Sequence, residues 1–273
     1  MVERKSPPIY KSGIPYTDFG LNWANSCPIN CTFCFARRMR KQKPEVWGQC
    51  PPELVTNVIP LLMKQLKGMQ TKGKIPTRRV MAPTMHDPFL KDQALLRLSI
   101  SVYQQLGYYN VPYRVLTKSP IIMSFANLFD GKDAIVGMTF TTLDVEKFKE
   151  WHPGAWFGPE DQLQAFVILQ AYKGFKTWVS FEPLVDKNIV MDVLNIIEPP
   201  DEVMIGKMNY HKDPLSLEDH WDVWQVAKQL NARGIKVIPK PEWLQLLSAH
   251  SDWDNDDLSK FSIHPESLLV PTL

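Results

Sequence analysis

Three of the four cysteines lie within eight residues of one another. Cys27, Cys31 and Cys34 have the spacing C-x3-C-x2-C, and Cys50 lies sixteen residues beyond the last of them. Thiolates at this spacing can converge on one small object if the loop between them wraps around it. Thiolate ligands favour zinc or an iron–sulfur cluster over hard cations.

The count of cysteines helps to choose between these metals. A structural zinc site has four protein ligands, usually from two C-x2-C pairs, and the chain has no second pair. Three cysteines without an obvious fourth predict a cluster with one open iron. Zinc or another metal, and three cysteines without any ligand role, remain alternatives. Cys50 is interpreted as a structural or incidental thiol, and disulfides are not expected with so few cysteines.

Short apolar segments that alternate with amphipathic ones must position this loop. The apolar segments are rich in Val, Ile, Phe and Tyr and are bounded by Gly, Pro or Asp, which is typical of strands. They cover residues 19–24, 79–83, 113–117, 134–141, 177–181, 202–206 and 236–238. Helical periodicity predicts helices over residues 52–69, 90–106, 159–172, 186–197 and 217–231.

This alternation predicts an α/β fold of parallel strands with crossover helices. An open dinucleotide-binding sheet would carry G-x-G-x-x-G after its first strand, and none of the 13 glycines is so arranged. A complete eightfold barrel takes about 250 residues and one or two more units than the chain provides. A partial barrel therefore fits best.

The cysteine loop, with Phe33 before its last cysteine and a strand before its first, resembles that of the radical S-adenosylmethionine (SAM) superfamily. The resemblance implies a partial (β/α)6 barrel. It also implies a [4Fe–4S] cluster on Cys27, Cys31 and Cys34, with SAM bound to the fourth iron. The expected activity is reductive cleavage of SAM to a 5′-deoxyadenosyl radical.

Within that superfamily the chain resembles the spore photoproduct lyase-like branch, and more closely a phage-associated family of unsettled function. Four short motifs carry this likeness: residues 34–39 (CFARRM), 84–88 (TMHDP), 115–118 (VLTK) and 181–184 (FEPL). The Gly-Gly-Glu that many radical SAM enzymes have after the second strand is missing. Residues 84–87 stand in its place, with Thr84 as a candidate SAM contact.

The resemblance also proposes further cofactor contacts. Lys118, with Thr117 beside it, would hold the SAM carboxylate at the carboxyl end of the third strand, where such barrels gather their active sites. Phe33 would flank the adenine, and Phe35 is a second candidate or a core residue. Thr139 and Thr141 share one face of the fourth strand and are candidates for the ribose hydroxyls or for lining the barrel.

Two further residues, besides Lys118, are candidates for catalysis. Glu182 ends the fifth strand in an apolar stretch, so it contacts SAM or substrate or pairs with an internal cation. His86 is a candidate acid or base, or part of a substrate-binding pair, with Asp87, although a loop histidine beside a helix-capping aspartate is the more frequent explanation of such a pair.

The charge is unevenly distributed. Residues 1–79 hold 14 Lys/Arg against 4 Asp/Glu, a balance of +10, and residues 80–273 hold 17 against 25, a balance of −8. Arg37, Arg38 and Arg40 follow the cysteine loop on a predicted helix. They suggest a phosphate-bearing substrate such as nucleic acid or a nucleotide, or a solvated helix face. A non-catalytic, metal-stabilised nucleic-acid-binding domain is the alternative function.

The expected organisation is an N-terminal extension (1–16), a barrel (17–240) and a C-terminal extension packed on it (241–273). The composition predicts a globular chain, with 44% hydrophobic and 22% charged residues. No apolar run is long enough to span a membrane and no secretory signal is recognised, so a cytoplasmic location without membrane contact is expected. A radical SAM enzyme would also need an external electron donor, such as a flavodoxin- or ferredoxin-like protein.

Overall fold

The computed structural model describes residues 1–14, 17–48, 51–209, 211–254, 258 and 261. Its strands are β1 (Ile9–Lys11), β2 (Phe19–Leu21), β3 (Ala24–Asn25), β4 (Glu53–Leu54), β5 (Val80–Met81), β6 (Tyr113–Thr117), β7 (Ala134–Thr139), β8 (Lys176–Phe181), β9 (Glu202–Ile205) and β10 (Lys236–Pro239).

Helices connect most of these strands. They are α1 (Phe35–Met39), α2 (Pro44–Trp47), α3 (Val58–Thr71), α4 (Gln93–Tyr108), α5 (Val145–Trp151), α6 (Pro159–Ala171), α7 (Ile189–Leu194), α8 (Leu217–Ala232) and α9 (Pro241–Leu247), with a 3₁₀ segment at Pro120–Leu128. Polar side chains start several of them. The carboxylate of Asp92 accepts a hydrogen bond from the backbone of Leu95 at the start of α4, and Ser216 with Asp219 forms a capping box on α8.

Eight of the described strands form one sheet in the order β1-β2-β5-β6-β7-β8-β9-β10. From β2 to β10 every neighbouring pair is parallel, and β1 lies antiparallel on β2. In the described residues β10 does not pair with β1, so the sheet stays open. Strands β3 and β4 form a separate antiparallel pair.

The two faces of the sheet bury different clusters. Alternate residues such as Val80, Val115 and Val179 join the large core against the helices. The residues between them face the inside, where Met81, Ile135, Trp178 and Met204 form a small second cluster. Helices thus cover the outer face, and the inner face is left for a cavity.

A buried ion pair crosses this interior. Arg114 on β6 donates to Glu202 on β9 at 2.5 Å, and the guanidinium of Arg114 lies 4.5 Å from the ring centre of Trp178 on β8. The two charged residues are three strand spacings apart, about 14 Å in a flat sheet. Their contact indicates that the sheet curves around its inner face, as a barrel does.

The predicted α/β fold with a partial barrel is confirmed. Each of the seven predicted apolar segments contains one parallel strand, so the described sheet has one parallel strand more than a (β/α)6 barrel. Two predicted helices were too long: residues 53–54 form β4 and α3 begins only at Val58, and α7 covers only Ile189–Leu194 of the predicted 186–197. None of the described helices is long and apolar enough to cross a bilayer.

Residues on both sides of the range 17–240 also pack on the sheet and the helices. Those before it contribute β1 to the main sheet. After it, α9 packs on α8, where the indole of Trp243 donates to the ring of His220 at 3.2 Å. Phe261 lies 4.6 Å from the ring centre of Trp224 on α8.

Candidate active site

The inner face opens into a cavity of about 530 Å³ at the carboxyl ends of the parallel strands. The cysteine loop forms one wall, and residues from β1 and its following turn and from the carboxyl ends of β5 to β10 form the others. The volume lies within the range of about 300–1,000 Å³ that is common for small-molecule sites. In parallel barrels, chemistry takes place at this end of the strands.

The loop that carries the cysteines folds tightly between β3 and α1. Ser26 and Asn30 adopt left-handed backbone angles, with φ of 67° and 51°. The backbone N–H of Asn30 donates to the backbone oxygen of Cys27 at 3.1 Å, and the N–H of Cys34 donates to the backbone oxygen of Cys31 at 3.1 Å. These turns bring all three thiols, none of them in a disulfide, to the cavity wall.

The environment of Cys27 and Cys31 disfavours free thiolates. Burial, with the nearby charges of Asp87 and Cys31, raises the pKa of Cys27 well above its usual value. Burial also raises the pKa of Cys31 to about 12, although the positive charge of Lys118 acts to lower it. A bound cation removes this penalty because it replaces the proton on sulfur.

The donor set fits a cluster better than a single ion. Among the described residues, no three Cys, His, Asp or Glu side chains converge closely enough to hold one metal ion. A tetrahedral zinc needs such convergence, with all sulfurs about 2.3 Å from one atom. Cysteines that bind different irons of one cluster do not need it. Cys50 lies outside the described residues.

Arg37 braces the cysteine loop from inside. Its guanidinium donates to the backbone oxygen of Thr32 at 2.5 Å and to the side chain of Asn30 at 3.3 Å. Arg40 instead donates to the side chain of Asn25 at 2.6 Å. The predicted phosphate-binding residues are thus partly engaged in loop contacts, and Arg37 is a structural residue of the loop.

A second loop, after α5, holds the cysteine loop from the other side. The backbone N–H of Thr32 donates to the backbone oxygen of Trp151 at 3.0 Å, and the N–H of Gly154 donates to the backbone oxygen of Ile29 at 3.1 Å. A side chain at Gly154 would stand 1.8 Å from the backbone oxygen of Pro28, so only glycine permits this approach. We call residues 151–154 the bracing segment.

His152 of the bracing segment contacts a cysteine directly. It is 1% exposed, and its Nδ1 lies 3.2 Å from the sulfur of Cys31. Its Nε2 lies 2.8 Å from the hydroxyl of Thr141, which the sequence had suggested as a ribose contact. Burial, with the charge of Lys118, lowers the pKa of His152 well below its ordinary value, so the ring is neutral.

Asp87 connects the ends of β5 and β6. Its carboxylate accepts from the hydroxyl of Thr117 at 2.6 Å, from the backbone of Lys118 at 2.7 Å and from the backbone of Phe89 at 3.0 Å. The hydroxyl of Thr117 also accepts from the backbone of Ser119. Thr117 lines the cavity, but its hydroxyl group already donates its hydrogen bond to Asp87.

Lys118 places a cation at the cavity wall. Its Nζ lies 5.8 Å from the ring centre of Phe33, and no ion pair within the described residues includes it. The lysine and the ring therefore lie together, where the resemblance puts a carboxylate contact and an adenine contact. Phe35 lies at the cavity wall and is 37% exposed, so it is not a core residue.

A polar network fixes the segment after β5. The amide oxygen of Asn22 accepts from the backbones of Thr84 and Met85 at 2.8 and 2.9 Å, and its nitrogen donates to the hydroxyls of Tyr10 and Thr84. Thr84 lines the cavity with its hydroxyl engaged in this network. Its side chain thus positions the segment, as well as facing the cavity.

His86 is not paired with Asp87. Its ring packs edge-on against Trp23 at 5.0 Å, and neither ring nitrogen has a side-chain partner among the described residues. Burial lowers the pKa of His86 to about 3, so the ring is neutral at physiological pH. The environment disfavours the predicted acid role.

The remaining predicted positions lie at or just after the ends of β7 and β8. Thr139 faces the cavity, while Thr141 is turned toward His152. Glu182 lines the cavity in a close ion pair with Lys240, which follows β10. Of the two interpretations of Glu182, pairing with an internal cation is the one that this contact supports.

Several cavity residues were missed from the sequence. Ser180 is fully buried and Glu242 partly so, and each has an oxygen without a hydrogen-bond partner among the described residues. Lys207, Asn209 and Lys240 also line the wall. Ser180 and Lys240 lie at strand ends, so the rule that selected Glu182 would have found them. His152 lies in a loop 121 residues from Cys31, and no local pattern points to it.

No protein-family model matches the sequence, and no curated protein matches it either. Solved structures do match. A spore photoproduct lyase mutant with bound AdoMet and dinucleoside spore photoproduct superposes with a TM-score of 0.61 at 13% identity, covering 82% of this chain and 64% of that one. The lyase complexed with dinucleoside spore photoproduct superposes with a TM-score of 0.58, also at 13% identity and with the same coverage of both chains.

Streptococcus suis SuiB bound to S-adenosylmethionine gives a TM-score of 0.59 at 12% identity, covering 86% of this chain and 52% of that one. The chain therefore spans less than two thirds of the length of each of these structures. They define its class as the α/β partial barrel. Both proteins are radical SAM enzymes, so the chain has the radical SAM fold, as predicted. The likeness to a phage-associated branch stays a prediction.

Proposed function

We propose that this chain is a radical SAM enzyme, with a [4Fe–4S] cluster on Cys27, Cys31 and Cys34 and SAM in the adjoining cavity. The observation that carries the proposal is the position of the three free thiols at the wall of a cavity on the inner face of this fold. When bound, the reduced cluster supplies one electron that cleaves SAM to methionine and a 5′-deoxyadenosyl radical.

The residues of the chain would bind and orient these groups. The cysteine loop, held by Arg37 and the bracing segment, presents three thiolates on one side of the cavity. Lys118 supplies a positive charge for the SAM carboxylate, and Phe33 beside it supplies a ring face for the adenine. Ser180 and Glu242 offer oxygens that lack partners among the described residues.

The substrate would enter at the wall formed by Glu182, Lys207, Asn209, Lys240 and Glu242. These side chains are charged or amide groups, which favours a polar substrate. Nucleic acid or a nucleotide is our proposed substrate class, because α1, which lines this cavity with Phe35, Ala36 and Met39, also carries Arg37 and Arg38. We further propose a flavodoxin- or ferredoxin-like electron donor and a cytoplasmic location, where thiols stay reduced.

Anaerobic reconstitution with iron and sulfide tests the cofactor. The wild-type protein should be brown and hold about four irons, and Cys27→Ala, Cys31→Ala and Cys34→Ala should each lose most of the iron. Cys50→Ala is the matched control and should keep it. A colourless protein with one tightly held zinc would instead support a non-catalytic, metal-stabilised nucleic-acid-binding domain.

Turnover is tested separately. The reconstituted protein, incubated with SAM and dithionite, should release 5′-deoxyadenosine and methionine in equal amounts, detected by mass spectrometry. The Cys31→Ala variant should release neither product. If the cluster is fully loaded and SAM binds but no 5′-deoxyadenosine forms with any reductant, the enzymatic part of the proposal is wrong.

A further inference from the structure

The contact between His152 and Cys31 joins two parts of the chain that are distant in sequence. The bracing segment fixes the position of His152 through the backbone hydrogen bonds of Thr32 and Gly154. The ring is further enclosed by Phe148, 4.7 Å away, and by Phe33, which meets it edge-on at 5.4 Å. The imidazole thus has little freedom to turn away from the sulfur.

The hydrogen-bond pattern fixes which nitrogen carries the proton. A neutral imidazole has one donor and one acceptor nitrogen. A cysteine that binds iron has no S–H and only accepts, so Nδ1 must carry the proton. Nε2 then accepts from Thr141, whose hydroxyl lies 2.8 Å away. In the neutral ring this is the only arrangement that satisfies both contacts, and in a protonated ring Nδ1 would donate to the sulfur as well.

We propose that His152 tunes the reduction potential of the cluster by donating its Nδ1–H to the sulfur of Cys31, with Thr141 fixing the tautomer. The proposal rests on the proposed function, since it requires a cluster on Cys31. Hydrogen bonds to the sulfurs are one of the factors that set the potential of an iron–sulfur cluster. Reduction adds negative charge to the cluster, and a donor at the sulfur stabilises that charge. His152 therefore raises the potential and is a positioning residue, not one that touches the substrate.

Redox titration of the reconstituted protein, followed by electron paramagnetic resonance without SAM, tests this inference. His152→Leu should keep its iron but shift the midpoint potential to more negative values. His152→Gln, whose amide can donate, should recover part of the shift. Thr141→Val keeps the shape of the side chain but removes the hydrogen bond that fixes the tautomer of His152. It should therefore shift the potential in the same direction by a smaller amount.

The matched control is Phe148→Leu, which disturbs the packing around the ring without removing a hydrogen bond. Its potential should stay at the wild-type value. Equal shifts in Phe148→Leu and His152→Leu would assign the effect to packing and overturn the proposal. So would a fully loaded His152→Leu protein with the wild-type potential.

A measurement on the wild-type protein covers the case in which the His152 variants fail to fold. In protein labelled with ¹⁵N-histidine, the reduced cluster should show a weak magnetic coupling to one histidine nitrogen by pulsed electron paramagnetic resonance. Absence of that coupling in a loaded cluster would refute the hydrogen bond. Failure of the proposed cofactor would look different, because then no cluster forms in the wild-type protein.

Discussion

The carboxylate of Asp87 accepts a hydrogen bond from the hydroxyl of Thr117 at 2.6 Å and thereby joins the carboxyl ends of two neighbouring parallel strands. The same carboxylate accepts from the backbone of Lys118 at 2.7 Å, so it also fixes the start of the loop that carries the cavity cation. Thr117 and Asp87 lie thirty residues apart, and both are buried. Their hydrogen bond makes the position of Lys118 depend on the segment after β5.

Asp87→Asn should therefore weaken both stability and SAM binding. An amide places N–H donors where Thr117 or Lys118 already donates, and an unsatisfied buried group costs about 1–3 kcal/mol. Chemical denaturation should show this loss, and calorimetry should show weaker SAM binding. Asp92→Asn, at the partly buried start of α4, is the control and should leave SAM binding unchanged. Wild-type SAM affinity in Asp87→Asn would contradict the positioning role.

Lys118→Ala should lower SAM affinity about ten- to a hundredfold. It removes a charge-assisted hydrogen bond to the carboxylate worth roughly 1.5–3 kcal/mol. Calorimetry on the reconstituted protein measures the change, and iron content should stay at the wild-type level. Lys207→Ala, which removes another cavity lysine, should have a smaller effect. Equal SAM affinity in the wild type and Lys118→Ala would exclude this carboxylate contact.

Glu202→Gln should destabilise the protein most at neutral pH. Burial opposes ionisation of Glu202, but Arg114 and Lys236 outweigh it and hold the pKa of this carboxyl below its usual value. Its contribution to stability is thus present above the unfolded pKa of about 4.3 and is lost as the pH falls through the folded pKa.

Breaking a buried pair costs about 3–5 kcal/mol, so the free energy of unfolding should fall by that amount in Glu202→Gln at pH 7. The difference from wild type should narrow as the pH falls below about 4.3, since the wild-type carboxylate then becomes protonated. Urea denaturation across this range measures it. Glu146→Gln, which removes an exposed ion pair with Lys149, should stay within about 1 kcal/mol of wild type at each pH. A pH-independent difference for Glu202→Gln would contradict the assignment.

Nucleic acid, if it is the substrate, should bind at the basic residues after the cysteine loop. Arg37 is unsuitable for a charge reversal because it holds the loop, so the variant should combine Arg40→Glu, Lys41→Glu and Lys43→Glu. Oligonucleotide affinity should fall, and the log–log salt slope should drop by about 0.9 for each lost phosphate contact on duplex DNA.

Fluorescence anisotropy at several salt concentrations measures this binding. The matched control reverses Lys64, Lys67 and Lys72, which are exposed on α3 or at its end, and should bind with nearly the wild-type salt slope. An oligonucleotide that does not bind the wild-type protein even at low salt would indicate that the basic third is only a solvated face. A peptide or a small molecule would then be the better substrate hypothesis.

The sequence alone determined the order of the seven parallel strands, most of the long helices between them and the position of the cysteine loop. Both are local properties: apolar periodicity follows from the repeat of a helix or strand, and thiol spacing follows from the chain itself. Strand ends such as Thr117 and Glu182 could be placed at the cavity for the same reason, since parallel strands end at one edge.

Tertiary structure alone decided which of these groups are free and which are engaged. Thr117 donates to Asp87, Thr141 contacts His152 and Glu182 pairs with Lys240, and each partner is between 11 and 58 residues away. Such pairs form where loops from different strands meet, and their contacts depend on the curvature of the sheet rather than on any local pattern. The pairing of His152 with Cys31 arises in this way, because the packing of a distant loop brings the imidazole to the sulfur.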